Sequence, residues 1–332
     1  MNAPAAGPVF VVGMNGSGTT MLLDCLGRHP ALYAYPLETR LIPYLISQTP
    51  TFGDLQNDEN FHRLWETVRN LAAFREPNGN TPVPLPSDWR SSARTLASVI
   101  DAIFMYYAAR AGKARWCEKT PQHVQHLEAL AELFPTAKFI HVVRDGRDCA
   151  ASFHRRWLRR PELTIFRWKK VVAAGRAQGQ RVGADRYMQI RYEDLTAAPE
   201  SSLRAICTFL DLPFDPAVLE SAQPHMQPDQ SGGARGLKKN SGKWQNYFTD
   251  HQQLQLERIG GRTLAEFGYA TRCPSGDEDV SGGQRRYWTA VELLQQYGRE
   301  IWRKLNGDLE RPWRVILAKP VNALRQRRHN EY

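Results

Sequence analysis

Along the first part of the chain the apolar pattern changes period once. Val9-Phe10-Val11-Val12 is an unbroken apolar run ended by Gly13, which reads as a short buried strand. After the turn residues Asn15 to Gly18, apolar side chains return at Leu22, Leu23 and Leu26 with helical spacing, and Gly27 is the expected stop. The same rhythm recurs at residues 139–143, an apolar run followed by a helical segment from Gly146. A third strand is predicted over 186–191, ahead of Tyr192-Glu193-Asp194-Leu195 and an amphipathic helix from about Ser201 to Leu210. Helical segments are also expected near 61–74 and from about 92 to 111. Strands alternating with helices predict an α/β fold with a parallel sheet covered by helices on both faces. Ligands of such sheets bind beyond the carboxyl ends of the strands.

Composition narrows the partners. The 332 residues are 42% hydrophobic, enough for a substantial core, and the net charge of +10 favours an anionic partner such as a nucleotide, a nucleic acid, a membrane surface or an acidic polymer. No apolar run reaches the length needed to cross a bilayer, and "MNAPAAGP" lacks the features of a signal peptide, so a cytoplasmic protein is expected. The five cysteines form no CxxC pair, which argues against a disulfide framework. By composition, residues 1–271 form the main domain, with a helical insertion at about 40–111, and 272–284 read as a linker. Residues 285–332 form a helical C-terminal extension with eleven Lys/Arg against five Asp/Glu and three tryptophans, Trp288, Trp302 and Trp313. That extension reads either as a basic amphipathic contact for a membrane surface or acidic partner, or as a solvated helix packed by its aromatics.

The stretch Gly13-Met14-Asn15-Gly16-Ser17-Gly18-Thr19-Thr20 has the glycine spacing of a phosphate-binding P-loop, but Thr19 stands where that loop carries lysine. Backbone N–H groups of a glycine turn feeding a helix N-terminus cradle an anion without a side-chain cation. An NTP-cleaving enzyme ordinarily needs the lysine and a metal at the terminal phosphates, so Thr19 counts against a kinase. The structural alternative is a tight strand-to-helix connection.

Taken together and in order, "VFVVGMNGSGTTMLLDCLGRHP", "ETRLIP", "EKTP", "LFPTAKFIHVVRDGRDCAASF", "RYEDL" and "NSGKW" resemble the sulfotransferases that use 3′-phosphoadenosine 5′-phosphosulfate, most of all the tyrosylprotein sulfotransferase branch and its bacterial relatives. The likeness covers residues 9 to about 270. It implies a P-loop-type sheet in which Gly16, Ser17, Gly18, Thr19 and Thr20 hold the 5′-phosphosulfate, no metal is required, and the loop lysine is dispensable because the transferred group is a neutral SO3 unit.

Arg144 lies at the end of a predicted strand, where a guanidinium can meet a phosphate, and Ser152 and Arg156 share a face of the next helix. The resemblance makes these three the 3′-phosphate site. Otherwise Arg144 would pair with Asp145 or Asp148, and Arg156 would be a solvated helix charge. By the same resemblance Tyr192 contacts the nucleotide, the alternative being a core tyrosine, and Lys243 folds over the donor phosphates with Trp244 as its anchor. Lys238 and Lys239 compete for that role. Glu38 matches the base of the tyrosylprotein branch, although one extra residue precedes it here, and its alternative is a carboxylate in the first turn of a helix. Lys119 matches a lysine at the bridging oxygen of the leaving phosphate, the alternative being a solvated residue.

The chief departure from the family is Gly16, where relatives usually carry Lys or Arg. Lys119, Lys243 or Arg40 takes over that role, or the protein is slow, or it binds the donor without transfer. No His/Cys/Asp set has metal-ligand spacing, and His123 and His126 read as surface or half-buried histidines. The resemblance implies a hydroxyl-bearing acceptor, whether small molecule, glycan, lipid or peptide, and no nucleic acid. Residues 40–110, with Phe61, Trp65, Tyr106 and Tyr107, are expected to line its site. The competing readings are an ATP-dependent P-loop kinase and a catalytically impaired nucleotide-binding protein.

Overall fold

The alternation of strand and helix is borne out, with two strands beyond those the apolar pattern marked. The computed structural model describes residues 7–220 and 241–305, with side chains to residue 294. Strands β1 (Val9–Gly13), β2 (Leu32–Ala34), β3 (Arg115–Lys119), β4 (Lys138–Val143) and β5 (Tyr187–Arg191) form one parallel sheet in the order β2-β3-β1-β4-β5. The sequence pattern passed over β2 because it has only three residues, and β3 because three of its five residues are charged. Burial of β3 is complete all the same, since Arg115 spends its guanidinium on the Gly7 and Leu210 carbonyls.

Helix α1 (Thr19–Arg28) links β1 to β2, and α2 (Ile42–Gln48), α3 (Asp58–Arg69), α4 (Ala72–Arg75) and α5 (Leu96–Arg110) make up the insertion before β3. Next come α6 (Leu127–Leu133) before β4, then α7 (Gly146–Trp157) and α8 (Pro161–Val182) before β5. The chain continues through α9 (Tyr192–Ala197), α10 (Pro199–Phe209), α11 (Trp244–Tyr247), α12 (Asp250–Glu266) and α13 (Gly282–Leu305). Alternation along β1 sends Phe10 and Val12 to a core shared with the insertion, and Val9 and Val11 to a core shared with α1 and α10. Both faces of the sheet are thereby covered, as a parallel sheet requires.

Several expectations are corrected. Helix α1 does not stop at Gly27, which packs against Ala34 of β2 so closely that a Cβ would lie 2.6 Å from the alanine methyl. Phe61, Trp65 and Tyr107 do not line an open site: they are 0%, 1% and 6% exposed, because the apolar faces of α3 and α5 turn inward to build the insertion's own core. His123 is fully buried rather than a surface histidine. Residues 272–281 are irregular, while 282–284 already belong to α13, and the irregular stretch is not a free tether, since Gly276 O and Glu278 N bond the backbone of α12 and Lys169 Nζ binds Asp277 at 2.8 Å. The start of α13 is seated on the turn between α7 and α8, where buried Glu292 accepts from Arg159 and from the Arg160 N–H. Lys238, Lys239 and residues 306–332, Trp313 among them, lie outside the described residues.

Candidate active site

Register brings the candidate residues to one edge of the sheet. Lys119 ends β3 level with Val11, Gly13 ends β1 level with Val142, and Arg191 ends β5 level with Val143, so the glycine loop, Lys119, Arg144 and Tyr192 all leave the carboxyl edge on adjacent strands. This is the edge at which ligands of doubly wound sheets are held.

The glycine loop turns on residues that a side chain would obstruct. Gly18 has φ +97° and a Cβ there would lie 2.4 Å from the Tyr192 ring. Gly16 has φ +84°, and a Cβ would touch the Phe153 ring at 3.3 Å. Ser17 N bonds Met14 O at 3.1 Å, whereas Ser17 Oγ is buried and finds no hydrogen-bond partner among the described residues. A buried hydroxyl left open in such a loop fits an anionic guest that accepts from it. Thr19 is buried and Thr20 exposed in the first turn of α1.

Arg144 holds the loop from the side, its Nη1 donating to Gly16 O at 3.0 Å and its guanidinium lying 4.6 Å from the centre of the Tyr192 ring. Tyr192 is buried and stacked between Gly18 and Arg144, so it closes the core beside the loop. Asp145 does not serve Arg144 but makes a two-point pair with Arg147, Nε to Oδ1 at 3.0 Å and Nη2 to Oδ2 at 2.8 Å.

Beside the loop a pocket of about 340 Å³, part of it open to solvent, is lined by Arg144, Ser152, Arg156 and Lys243, the four residues that sequence reading grouped around a phosphate. Arg155, Ala151 and Tyr247, which had not been singled out, complete its wall together with Asp148, read from sequence only as an alternative partner of Arg144. Asp148 was within reach of helical spacing: 148, 152 and 156 succeed one another by four on α7 and share its face. Tyr247 was not, since the hydrogen bond of its hydroxyl with His154 Nδ1 at 2.8 Å joins segments distant in sequence.

A carboxylate and an ammonium meet at the other part of this edge. Lys119 Nζ donates to Glu38 Oε1 at 2.6 Å, and Arg40 Nε donates to Glu38 Oε2 at 2.9 Å. Lys119 is 8% exposed, so it is not a solvated lysine. Glu38 lies in the loop before α2, four residues ahead of Ile42, and does not occupy a first helical turn. Burial pushes its carboxyl pKa up, but Lys119 and Arg40 outweigh burial and hold it below its ordinary value. Arg40 has φ +51°, a left-handed conformation costly for a residue with a side chain.

What holds that strained loop is a group sequence reading missed. Glu118, fully buried, accepts at Oε1 from Thr39 N at 3.2 Å, from Thr39 Oγ1 at 3.0 Å and from Thr120 Oγ1, while His123 Nδ1 lies 3.2 Å from Oε2. Thr39 follows Glu38 and Thr120 follows Lys119, so one buried carboxylate fixes both members of the pair. Burial raises the Glu118 pKa, yet His123, Thr120 and Thr39 together leave it lowered. Among the described residues no group of three His, Cys, Asp or Glu side chains could hold a metal, and no helix is long and apolar enough to cross a membrane.

Comparison with known proteins agrees with this geometry. A model described as "Sulfotransferase family" matches residues 8–216, and a second, "Sulfotransferase domain", matches 180–268. The chain is 28% identical over 222 residues to protein-tyrosine sulfotransferase A of Caenorhabditis elegans, covering 65% of this chain and 52% of that protein. It is 25% identical over 293 residues to nodulation protein NoeE of Sinorhizobium fredii, covering 78% of this chain and 65% of that protein. The chain thus spans about half the length of the first of these relatives, and 39% of the Drosophila melanogaster protein-tyrosine sulfotransferase. Among solved structures, the sulfotransferase domain of the Synechococcus PCC 7002 olefin synthase superposes with TM-score 0.52 at 26% identity, over 82% of this chain and 98% of that one. A sulfotransferase domain from the curacin biosynthetic pathway shares the fold, with TM-score 0.54 at 21% identity, over 81% of this chain and 99% of that one.

Proposed function

The chain belongs to the sulfotransferase family, and from that premise we propose that it moves a sulfuryl group from 3′-phosphoadenosine 5′-phosphosulfate to an acceptor hydroxyl, releasing adenosine 3′,5′-bisphosphate. The observation that carries the reading is the second anion pocket beside the glycine loop, where Arg144, Ser152, Arg156 and Lys243 converge. A donor with a 3′-phosphate needs such a pocket and ATP does not.

In this reading residues 16–20 receive the 5′-phosphosulfate, with Ser17 Oγ and the loop N–H groups as donors, and Tyr192 borders the nucleotide beside Gly18. Glu38, kept ionised by Lys119 and Arg40, takes the proton of the acceptor hydroxyl as its oxygen attacks sulfur. The new O–S bond forms as the S–O bond to the 5′-phosphate breaks, and Lys119 meets the charge left on the former bridging oxygen. No metal enters these steps.

Transfer of radiolabelled sulfate from the donor to phenolic, sugar and peptide hydroxyls tests the assignment. Glu38→Gln and Lys119→Ala are each expected to lower transfer about a hundredfold or more. Donor-dependent transfer unaffected by both changes overturns it. Gly16, where relatives usually bear a cation, favours a second reading in which the donor is bound without turnover. That reading requires saturable donor binding with no labelled product from any acceptor.

A further inference from the structure

A carboxylate lines the anion pocket. Among the described residues Asp148 is the one acid in a wall that otherwise presents Arg144, Arg155, Arg156 and Lys243, and a free carboxylate there would repel a phosphate. Both of its oxygens are engaged: Oδ2 accepts from Gly242 N at 2.7 Å and Oδ1 from Trp244 N at 3.1 Å. The two donors flank Lys243, so Asp148 grips the backbone on either side of the lysine that reaches into the pocket. Gly242 supplies the left-handed turn, with φ +75°, that lets both N–H groups face one carboxylate. The Trp244 side chain is buried beneath the Arg147 guanidinium at 3.8 Å, which fixes the far side of the same turn.

We infer that Asp148 is a positioning residue for donor specificity: it clamps residues 242–244 so that Lys243 joins Arg144, Ser152 and Arg156 around a doubly charged phosphate monoester. This rests on the reading that the pocket receives the donor's 3′-phosphate. Two effects of opposite sign then compete at one side chain. Removing a carboxylate from a cationic pocket strengthens anion binding by direct electrostatics. Releasing the clamp weakens it, because Lys243 is a long side chain that must be ordered to contribute. Since both carboxylate oxygens are committed to backbone donors, the clamp outweighs the repulsion.

The test is calorimetric titration of the full chain with adenosine 3′,5′-bisphosphate and with adenosine 5′-monophosphate, for wild type, Asp148→Asn, Lys243→Ala and the double variant. Asp148→Asn is expected to weaken the bisphosphate about 5- to 30-fold, leave the monophosphate within about twofold, and add little to Lys243→Ala, as groups acting through one contact do. Unchanged or tighter bisphosphate binding in Asp148→Asn, or losses that multiply in the double variant, overturns the inference. If Asp148→Asn fails to fold, Asp148→Glu replaces it: the charge is kept and the clamp displaced, so the same loss is expected, and wild-type affinity would refute the clamp. Wild-type protein that binds both nucleotides equally refutes the donor reading itself, which separates the two failures.

Discussion

Replacing Glu118 by Gln keeps the shape of a buried side chain and removes its charge. The amide oxygen can still accept from Thr39 and Thr120, but an NH2 group now faces His123, whose Nδ1 lay 3.2 Å from the carboxylate. A hydrogen bond to a charged group contributes about 1.5–3 kcal/mol, which is the loss expected for Glu118→Gln. Glu118→Leu also strands the Thr39 N–H and two hydroxyls, and removal of one partner from a buried charged network costs about 3–5 kcal/mol. At about 2.1 cal/mol/K per residue the unfolding entropy of a chain of 332 residues is about 0.7 kcal/mol/K, so melting falls by about 2–4 °C and 4–7 °C respectively. The Glu118 pKa is lowered in the folded protein. Its contribution is therefore present in full above the unfolded glutamate pKa of about 4.3 and is lost as pH falls through the lower folded value. Scanning calorimetry from neutral to acid pH measures both effects. A gap between wild type and Glu118→Gln that is near zero at neutral pH, or that widens in acid, refutes the role assigned to the carboxylate.

Three further outcomes follow from the site. Lys119→Met removes the cation that does most to lower the Glu38 pKa, so the Glu38 carboxyl should titrate at higher pH than in wild type, as read by carbon NMR of the labelled side chain; no movement would mean the ion pair is absent in solution. Gly18→Ala places a Cβ 2.4 Å from the Tyr192 ring at φ +97° and should cost more than about 1–2 kcal/mol and at least about tenfold in nucleotide affinity, measured by melting and titration. Gly16→Lys restores the family's cation at φ +84° and against Phe153, so it should lower the melting temperature without raising donor affinity; tighter donor binding would show that the loop accommodates the side chain.

Part of this candidate site was legible from local rules and part only from resemblance. The apolar run 9–12 and the glycines after it marked the loop, whereas Ser152 and Arg156 were picked out by the family resemblance, with spacing by four placing them on one face of α7. What stayed hidden depends on contacts between distant segments. Glu118 sits in a strand whose charges masked its burial, and its partner Thr39 comes from a loop 79 residues away. Asp148 looked like a partner for Arg144, yet its oxygens serve backbone N–H groups 94 and 96 residues away. The position of the insertion between the glycine loop and Lys119 suggested, through the resemblance, an acceptor site for its aromatic residues, but the facing of α3 and α5 decided that Phe61 and Trp65 are core.

The central claim is that the loop and its neighbouring pocket accept a nucleotide with phosphates at both the 3′ and 5′ positions. Titration of the wild-type chain with adenosine 3′,5′-bisphosphate, compared with ATP and magnesium and repeated in Arg144→Ala, tests it most directly. The account predicts tight, metal-independent binding of the bisphosphate that Arg144→Ala weakens by about 1.5–3 kcal/mol, roughly 10- to 150-fold. Preference for magnesium ATP, or bisphosphate binding indifferent to Arg144, would contradict it.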